Sequence, residues 1–375
     1  MDHNLTVLLL SPFSELSGNR ATINRIRDGL RRQSFNCILE SPESFQNKDD
    51  FNDIIKKNHV SVALGLHAYK AGKLLKDGNC PYVLILGGTD INEVSRDQHI
   101  VKTIDSAINK ASGIVAFSEA LNAVLRHKWP HISSERLVVI PQAVTVFPSN
   151  SFNIKEYIKT KCVTSLSCAV DQTESLPVTC DIGRIDNVEA GKMILLTFVG
   201  GIRPVKNPLL AISFFTEWIS QDPVNRKHVL LVFIGKALDL GYYERFIQAI
   251  SQCPGAVYIP GLPCEETHAA IRDSRLLLNT SDSEGMALTI LEAMALGTPV
   301  MVRNIPGNTA IVQDGITGSV FNSVREFMDT LDKLVFDNRT AEMFRRQGAE
   351  YVNVNHNVAA EEKSYANILY KVLNN

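Results

Sequence analysis

Apolar positions along the chain fall into two alternating patterns. Val7–Leu10 is a short unbroken run that ends in a polar, glycine-containing stretch, Ser11–Asn19. Ile23, Ile26 and Leu30 then recur at the spacing of one helix face, and Cys37–Leu39 is again a run. The alternation continues with helix Phe51–Lys57, strand Val60–Leu66, helix Ala68–Leu75, strand Tyr82–Leu86, helix Ile100–Ala111, strand Ile114–Phe117, helix Glu119–His127 and strand Leu137–Ile140. Short apolar strands that do not alternate with polar residues, separated by amphipathic helices, predict a parallel sheet covered on both faces.

After Pro141 the pattern fails. Ser149–Lys192 is rich in Ser, Thr, Asn and Cys and has no sustained period, which predicts a linker with an insertion and a domain boundary. From Met193 the alternation resumes: strand Ile194–Val199, helix Pro208–Ile219, strand Val229–Ile234, helix Tyr242–Ile250, strand Val257–Ile259, helix Glu265–Asp273, strand Leu276–Leu278, helix Met286–Leu296 and strand Val300–Val302. The expected organisation is α/β: one doubly wound domain over residues 1–148, a linker over 149–192, a second doubly wound domain over 193–355, and a terminal helix over 356–375. Ligands of such sheets bind beyond the carboxyl ends of the strands, and two sheets facing each other would enclose a cleft.

The length of 375 residues agrees with two domains, and 45% apolar with 21% charged residues excludes disorder, collagen-like repeats and a coiled coil. A net charge of −2 gives no general footprint for nucleic acid. The cysteines, Cys37, Cys80, Cys162, Cys168, Cys180, Cys253 and Cys264, are odd in number with no C-x-x-C pair, and read as reduced thiols. No Cys/His spacing suggests a zinc site. Leu5–Leu10 is too short for a signal-peptide core, and no apolar stretch approaches the roughly 20 residues of a membrane span, so a cytoplasmic protein without a transmembrane segment is expected. Sequons at Asn4, Asn279 and Asn338 argue weakly the other way.

The sharpest segment runs from Ser281 to Val300. Glu284 is expected in the loop after a strand, at a helix N-terminus where free N–H groups hold anions, with Gly285 allowing close backbone approach. Glu292 follows eight residues later, about two helical turns on, so two carboxylates would bracket a ligand the size of a nucleotide sugar. A plainer reading puts both on a solvated helix face. The surrounding Gly285, Leu288-x-x-Leu291, Ala293-Met294-Ala295 and Gly297-x-Pro299 resemble the Glu-x7-Glu motif of retaining glycosyltransferases of the two-Rossmann-domain, GT-B class, often called group 1 or family 4. The resemblance implies that Glu284 contacts donor sugar hydroxyls and Glu292 the nucleotide ribose, with the amides of Gly285, Met286 and Ala287 near the donor phosphate and sugar. Ala287 stands where the family usually has a second Gly.

The resemblance covers most of the chain. Phe198-Val199-Gly200-Gly201-Ile202-Arg203-Pro204-Val205-Lys206-Asn207-Pro208 is similar to the family's first loop of the C-terminal domain, which implies that Lys206 and Arg203 hold the donor diphosphate. Gly201 occupies the family's more usual Arg position. No Asp-x-Asp occurs, and with two cations available the resemblance implies no metal and no cofactor. Gly235 and Gly261-Leu262-Pro263 correspond to nucleobase loops or are plain turns. In the first half, Gly18-Asn19 resembles the loop approaching the diphosphate, and Leu66-His67-Ala68 and Gly87-Gly88-Thr89-Asp90 resemble two further cleft loops. Gly87 stands where many relatives place a His. His67 is the nearest imidazole by motif, and is either functional or a turn residue. Asn304-Ile305-Pro306-Gly307-Asn308 and Asp314-Gly315-x-x-Gly318 match loops after the last strands, and Tyr365, Ile368, Leu369 and Val372 outline a final helix that braces the N-terminal domain in this fold.

The resemblance therefore implies transfer of a sugar, with retention, from a nucleotide diphosphate-sugar donor to an acceptor hydroxyl, the donor's own phosphate oxygen taking the acceptor proton. Lys206, Arg203 and Glu284 would carry the chemistry, Gly18, Gly285, Met286, Ala287 and Glu292 would bind the donor, and His67 and Gly87 would line the sugar and acceptor side. The alternatives are a nucleotide-sugar epimerase or hydrolase, and a non-catalytic nucleotide-sugar-binding protein, which the lack of a His at Gly87 favours.

Overall fold

The computed structural model describes residues 5–12, 18–87, 97–164, 179–180 and 189–374. Contacts divide the chain into two compact units. One comprises Met1–Val144, Ser283–Leu288 and Asn355–Asn375, the other Thr145–Asp282 and Thr289–Val354.

The first unit is built on six strands: β1 (Thr6–Leu10), β2 (Asn36–Glu40), β3 (Val60–Leu66), β4 (Tyr82–Leu86), β5 (Gly113–Ala116) and β6 (Leu137–Val139). They pair in the order β2-β1-β3-β4-β5-β6, every pair parallel. Every residue of β1 and β4 is buried, which is why these strands are apolar throughout rather than alternating. Helix Gly18–Arg32 packs against helix Val358–Asn374. Arg25 pairs with Glu361 at 2.8 Å, and a Cβ on Gly29 would lie 2.6 Å from Glu362 Cγ, so only glycine lets the helices approach this closely there.

The second unit holds β7 (Thr179–Cys180), β8 (Ile194–Val199), β9 (Val229–Ile234), β10 (Ala256–Ile259), β11 (Leu276–Asn279), β12 (Val300–Arg303) and β13 (Ser319–Phe321), in the order β13-β12-β11-β8-β9-β10-β7. All pairs are parallel except the two-residue β7, which runs antiparallel to β10. Consecutive residues of one strand feed opposite faces. Leu231 and Phe233 join a cluster with Phe215, Trp218, Phe246 and Phe327, while Leu230, Val232 and Ile234 join Ile154, Ile158, Met193 and Leu195. Each unit is therefore a doubly wound parallel sheet.

Three local expectations change. Within the stretch that shows no sustained period, Ile154–Thr164 is helical, and Ile154 and Ile158 are buried on the sheet. Two fully buried positions in one short helix are too few to register as a period. Helix Ala68–Leu75 shortens to Gly72–Leu75. Helix Met286–Leu296 becomes Leu288–Ala295, so Glu284 lies four residues before the helix and the eight residues to Glu292 are not two helical turns. Met286 is not in the helix, and its carbonyl oxygen accepts from Gln142 Nε2 at 3.3 Å. Among the described residues, no helix is long and apolar enough to cross a membrane.

Candidate active site

In the second sheet β8 pairs with β9 on one side and β11 on the other, so the loops leaving β8 and β11 diverge at a topological switch point, where doubly wound sheets bind ligands. Here the loops are bolted together. Asp282 N donates to Val205 O at 2.9 Å, Thr280 Oγ1 to Asn207 O at 2.8 Å, and Asn207 Nδ2 to Asp282 Oδ1 at 3.1 Å. Asn207 adopts φ +46°, a left-handed conformation that Asn tolerates, and its side chain caps helix Pro208–Gln221 by accepting from Leu210 N. Arg303 pairs with Asp282 from the end of β12.

The loop after β8 is also laced to the loop after β9. Gly200 N donates to Ile234 O at 3.0 Å, Ile202 N to Lys236 O at 2.8 Å, and Leu238 N to Ile202 O at 3.1 Å. A Cβ on Gly235 would stand 2.1 Å from Gly200 O, so Gly235 is more than a turn residue: two backbones meet there with no room for a side chain.

On this frame sit Lys206 and Arg203. Pro204–Lys206 forms a single tight turn, and the Lys206 stem passes over Gly200, with Cγ and Cδ 3.9 Å from where a Cβ there would be. Arg203 is half-buried and its Nε is buried without a hydrogen-bond partner. A buried, unpaired guanidinium nitrogen is costly, and an arriving anion would relieve that cost. At Gly201 the space for a side chain is occupied by Leu238, whose Cδ1 would be 2.4 Å from an added Cβ.

Glu292 belongs to helix Leu288–Ala295, and its side chain is 15% exposed. Its Oε1 lies 3.6 Å from Nε2 of His268, a buried residue of helix Cys264–Arg272. Burial opposes a charge on His268, whereas Cys264 and Glu292 favour it and carry the pKa up to about 9. The amide of Phe147 works against that charge. It donates to Nδ1 at 3.1 Å, and a protonated Nδ1 has no lone pair to accept it. In the neutral ring that makes this bond, the proton is on Nε2, facing Glu292.

The remaining predicted residues fall in the first unit. Glu284, Gly285, Met286 and Ala287 lie in the segment Ser283–Leu288 that groups with it. Gly18 opens helix Gly18–Arg32, exposed, with nothing within 4 Å of an added Cβ. His67 follows β3 at φ +87°, a conformation rare for a side-chain-bearing residue, with its N–H donating to Ile85 O at 3.3 Å. Such strain concentrates at functional positions. Gly87 follows β4, whereas Gly88, Thr89 and Asp90 lie outside the described residues. Asn279 of the sequon is buried and its Oδ1 accepts from Ser281 N and Asn308 Nδ2, each at 3.1 Å, a bonded core position rather than a glycosylation site.

The family profile "Glycosyl transferases group 1" matches residues 183–351. "Glycosyltransferase 1 domain-containing protein 1" of Xenopus tropicalis is 27% identical over 97% of this chain and 97% of its own length. The second half of the chain thus carries a match to the group 1 glycosyltransferases, and the whole chain is similar to a protein named for that domain. A D-inositol 3-phosphate glycosyltransferase of Gordonia bronchialis is 30% identical, but over only 46% of this chain and 40% of that protein. Among solved structures, Anabaena HepE in complex with UDP and glucose superposes with a TM-score of 0.71 at 14% identity, covering 98% of this glycosyltransferase and all of HepE. Sucrose-phosphate synthase of Thermosynechococcus elongatus gives 0.74 at 13% identity, with 99% of each chain covered. The fold is GT-B.

Two features of the candidate site escape sequence reading. His268 lies on the buried face of its helix, where a lone His reads as core, and only its distance to Glu292 singles it out. Asp282 looks like a turn residue beside Glu284, yet it joins Val205, Asn207 and Arg303.

Proposed function

We propose that this glycosyltransferase moves a sugar from a nucleotide diphosphate-sugar to an acceptor hydroxyl with retention of anomeric configuration, without a metal, and that its second unit holds the donor. The observation carrying this reading is the pair of bolted loops at the switch point of the second sheet, which present Lys206 and the unsatisfied Nε of Arg203. HepE, of the same fold, was solved with UDP and glucose, which supports a nucleoside diphosphate as the leaving group.

In the proposed reaction the bond from the sugar's anomeric carbon to the diphosphate breaks while the acceptor oxygen bonds the same carbon on the same face. The acceptor's proton passes to the departing phosphate oxygen. Negative charge grows on that diphosphate, and Lys206 and Arg203 stabilise it with fixed charge. Glu292 accepts hydrogen bonds from the ribose diol, Glu284 holds donor sugar hydroxyls, and the amides of Gly285, Met286 and Ala287 lie against phosphate and sugar. Gly18 admits the diphosphate, His67 and Gly87 serve the sugar and acceptor side, and the first unit receives the acceptor.

The test is donor turnover and product stereochemistry. With UDP-, GDP- and ADP-sugars screened first by thermal stabilisation, proton NMR of the initial product is expected to show the donor's own anomer, with rates unchanged by EDTA. Lys206→Ala is expected to lower turnover by about 10²–10³, the cost of comparable electrostatic deletions. An inverted anomer refutes retention. Loss of activity in EDTA restored by magnesium, with Lys206→Ala near normal, refutes stabilisation by protein charge.

A further inference from the structure

His268 is 2% exposed, and both nitrogens of its ring meet polar groups. Nδ1 accepts from the amide of Phe147 at 3.1 Å, which places the proton of the neutral ring on Nε2. Nε2 lies 3.6 Å from Glu292 Oε1, longer than a hydrogen bond, so the neutral ring meets the carboxylate through its N–H dipole. Cys264 Sγ is 3.7 Å from the same nitrogen. Both helices and Phe147 belong to the second unit. Glu292 has nothing apolar to gain from its partial burial, and a carboxylate removed from water needs a donor.

We infer that His268 is a positioning residue for Glu292: its imidazole, with the tautomer set by the Phe147 amide, directs the Nε2–H dipole at Oε1 and leaves the other carboxylate oxygen to the ribose hydroxyls. This rests on the reading of Glu292 as the ribose ligand. A glutamate on a helix has several side-chain rotamers, and each must be surrendered when ribose binds. A donor fixed behind the carboxylate removes that freedom beforehand, in the way outer-shell partners orient the groups that touch a ligand.

The experiment compares a nucleoside diphosphate with its 2′-deoxy counterpart, using the full chain and calorimetry. UDP, GDP and ADP are titrated, and the tightest is paired with its deoxy form. Wild type is expected to prefer the ribonucleotide by about tenfold or more, as befits a hydrogen bond to a charged group. Glu292→Ala is expected to abolish the preference. His268→Asn retains an acceptor for the Phe147 amide but does not reach Glu292, and His268→Phe fills the volume without a donor. Either variant, folded, is expected to lose at least about threefold of the preference. His268→Gln, whose amide nitrogen reaches the Nε2 position, is expected to restore most of it while melting lower, because the Phe147 amide loses its acceptor. Wild-type preference in His268→Asn or His268→Phe, with the preference gone in Glu292→Ala, overturns the positioning role alone. Wild-type preference in Glu292→Ala, or no binding of any of the three nucleotides to wild type, overturns the ribose reading and the positioning role with it.

Discussion

Gly235→Ala tests whether the spacing of two loops sets the active site. Gly235 has φ +156°, and a Cβ there would stand 2.1 Å from Gly200 O and 2.6 Å from Gly200 C. Since real Cβ contacts essentially never fall under 3.0 Å, the two backbones must part by about 0.9 Å. The atoms met are backbone, so no side-chain rotation relieves the clash. Overpacking of this kind costs about 1–3 kcal/mol, and about 2–4 °C of melting temperature per kcal/mol is expected for a domain of this size. The larger effect falls on turnover. Gly200 begins the loop that carries Arg203 and Lys206, and a misplacement of about 1 Å costs about 10²-fold. Gly297→Ala is the control, because Gly297 has φ +69° with nothing within 4 Å of an added Cβ and so carries strain without a clash. Donor turnover measured well below both melting temperatures should fall about 10²-fold in Gly235→Ala and stay near wild type in Gly297→Ala. Full activity in a Gly235→Ala protein that melts lower would refute the argument, since the loop would have moved without consequence for the chemistry.

Glu292→Ala is expected to weaken binding of the bare nucleoside diphosphate about tenfold to a hundredfold, and Glu284→Ala to damage turnover more than that binding, both checked by calorimetry beside initial rates. Gly18→Ala meets no steric obstacle and replaces glycine at a helix start, so melting should hold or rise slightly while donor affinity falls if the diphosphate approaches this backbone; unchanged affinity removes Gly18 from the site. Burial holds His356 below the ordinary histidine range, with Nδ1–H donating to Gln142 O at 2.7 Å. The unfolded chain then binds the extra proton, so this part of the stability is present above about pH 6.5 and is lost as pH falls below it. Melting temperature should drop less steeply from pH 7.5 to 5.5 in His356→Asn than in wild type, and equal slopes would refute the assignment.

The fold was legible because its signals are long and redundant. Runs such as Val229–Ile234 and Tyr82–Leu86 are apolar at every position because both faces are covered, and each is followed by a helix with its own period. What failed was short. Among its described side chains, helix Ile154–Thr164 buries Ile154 and Ile158 on the sheet, and the two-residue β7 carries no pattern at all. The start of helix Leu288–Ala295 was missed because Met286 and Ala287 are good helix formers, and no local feature says that their backbone is held in a loop. At the candidate site, Lys206 and Glu292 stand out in the sequence through their motifs. His268 and Asp282 do not, because what distinguishes them is distances across helices and loops.

Gly201 marks where motif and structure diverge most. A guanidinium at that position would supply the second cation to a departing diphosphate, but Leu238 fills the space above Gly201 and its backbone N–H is tied to Ile202 O at 3.1 Å. Leu238 is 59% exposed, so it does not bury itself there for its own stability. Arg203 stands two residues further along the same loop. The tight turn Pro204–Lys206 fixes the direction of the chain between the two cations, and the bond from Asp282 N to Val205 O anchors that turn at its centre. Arg203 keeps Nε buried and unbonded, an arrangement that costs free energy in the absence of an anion. Such a cost recurs at sites built for binding, where the group is aimed before the ligand arrives and reorganises little as charge develops. If Arg203 takes the second cation's role, it is expected to carry a larger share of leaving-group stabilisation than it would in a loop with an additional arginine, so Arg203→Ala should lower turnover at least as far as Lys206→Ala, and near-normal turnover in Arg203→Ala would refute this.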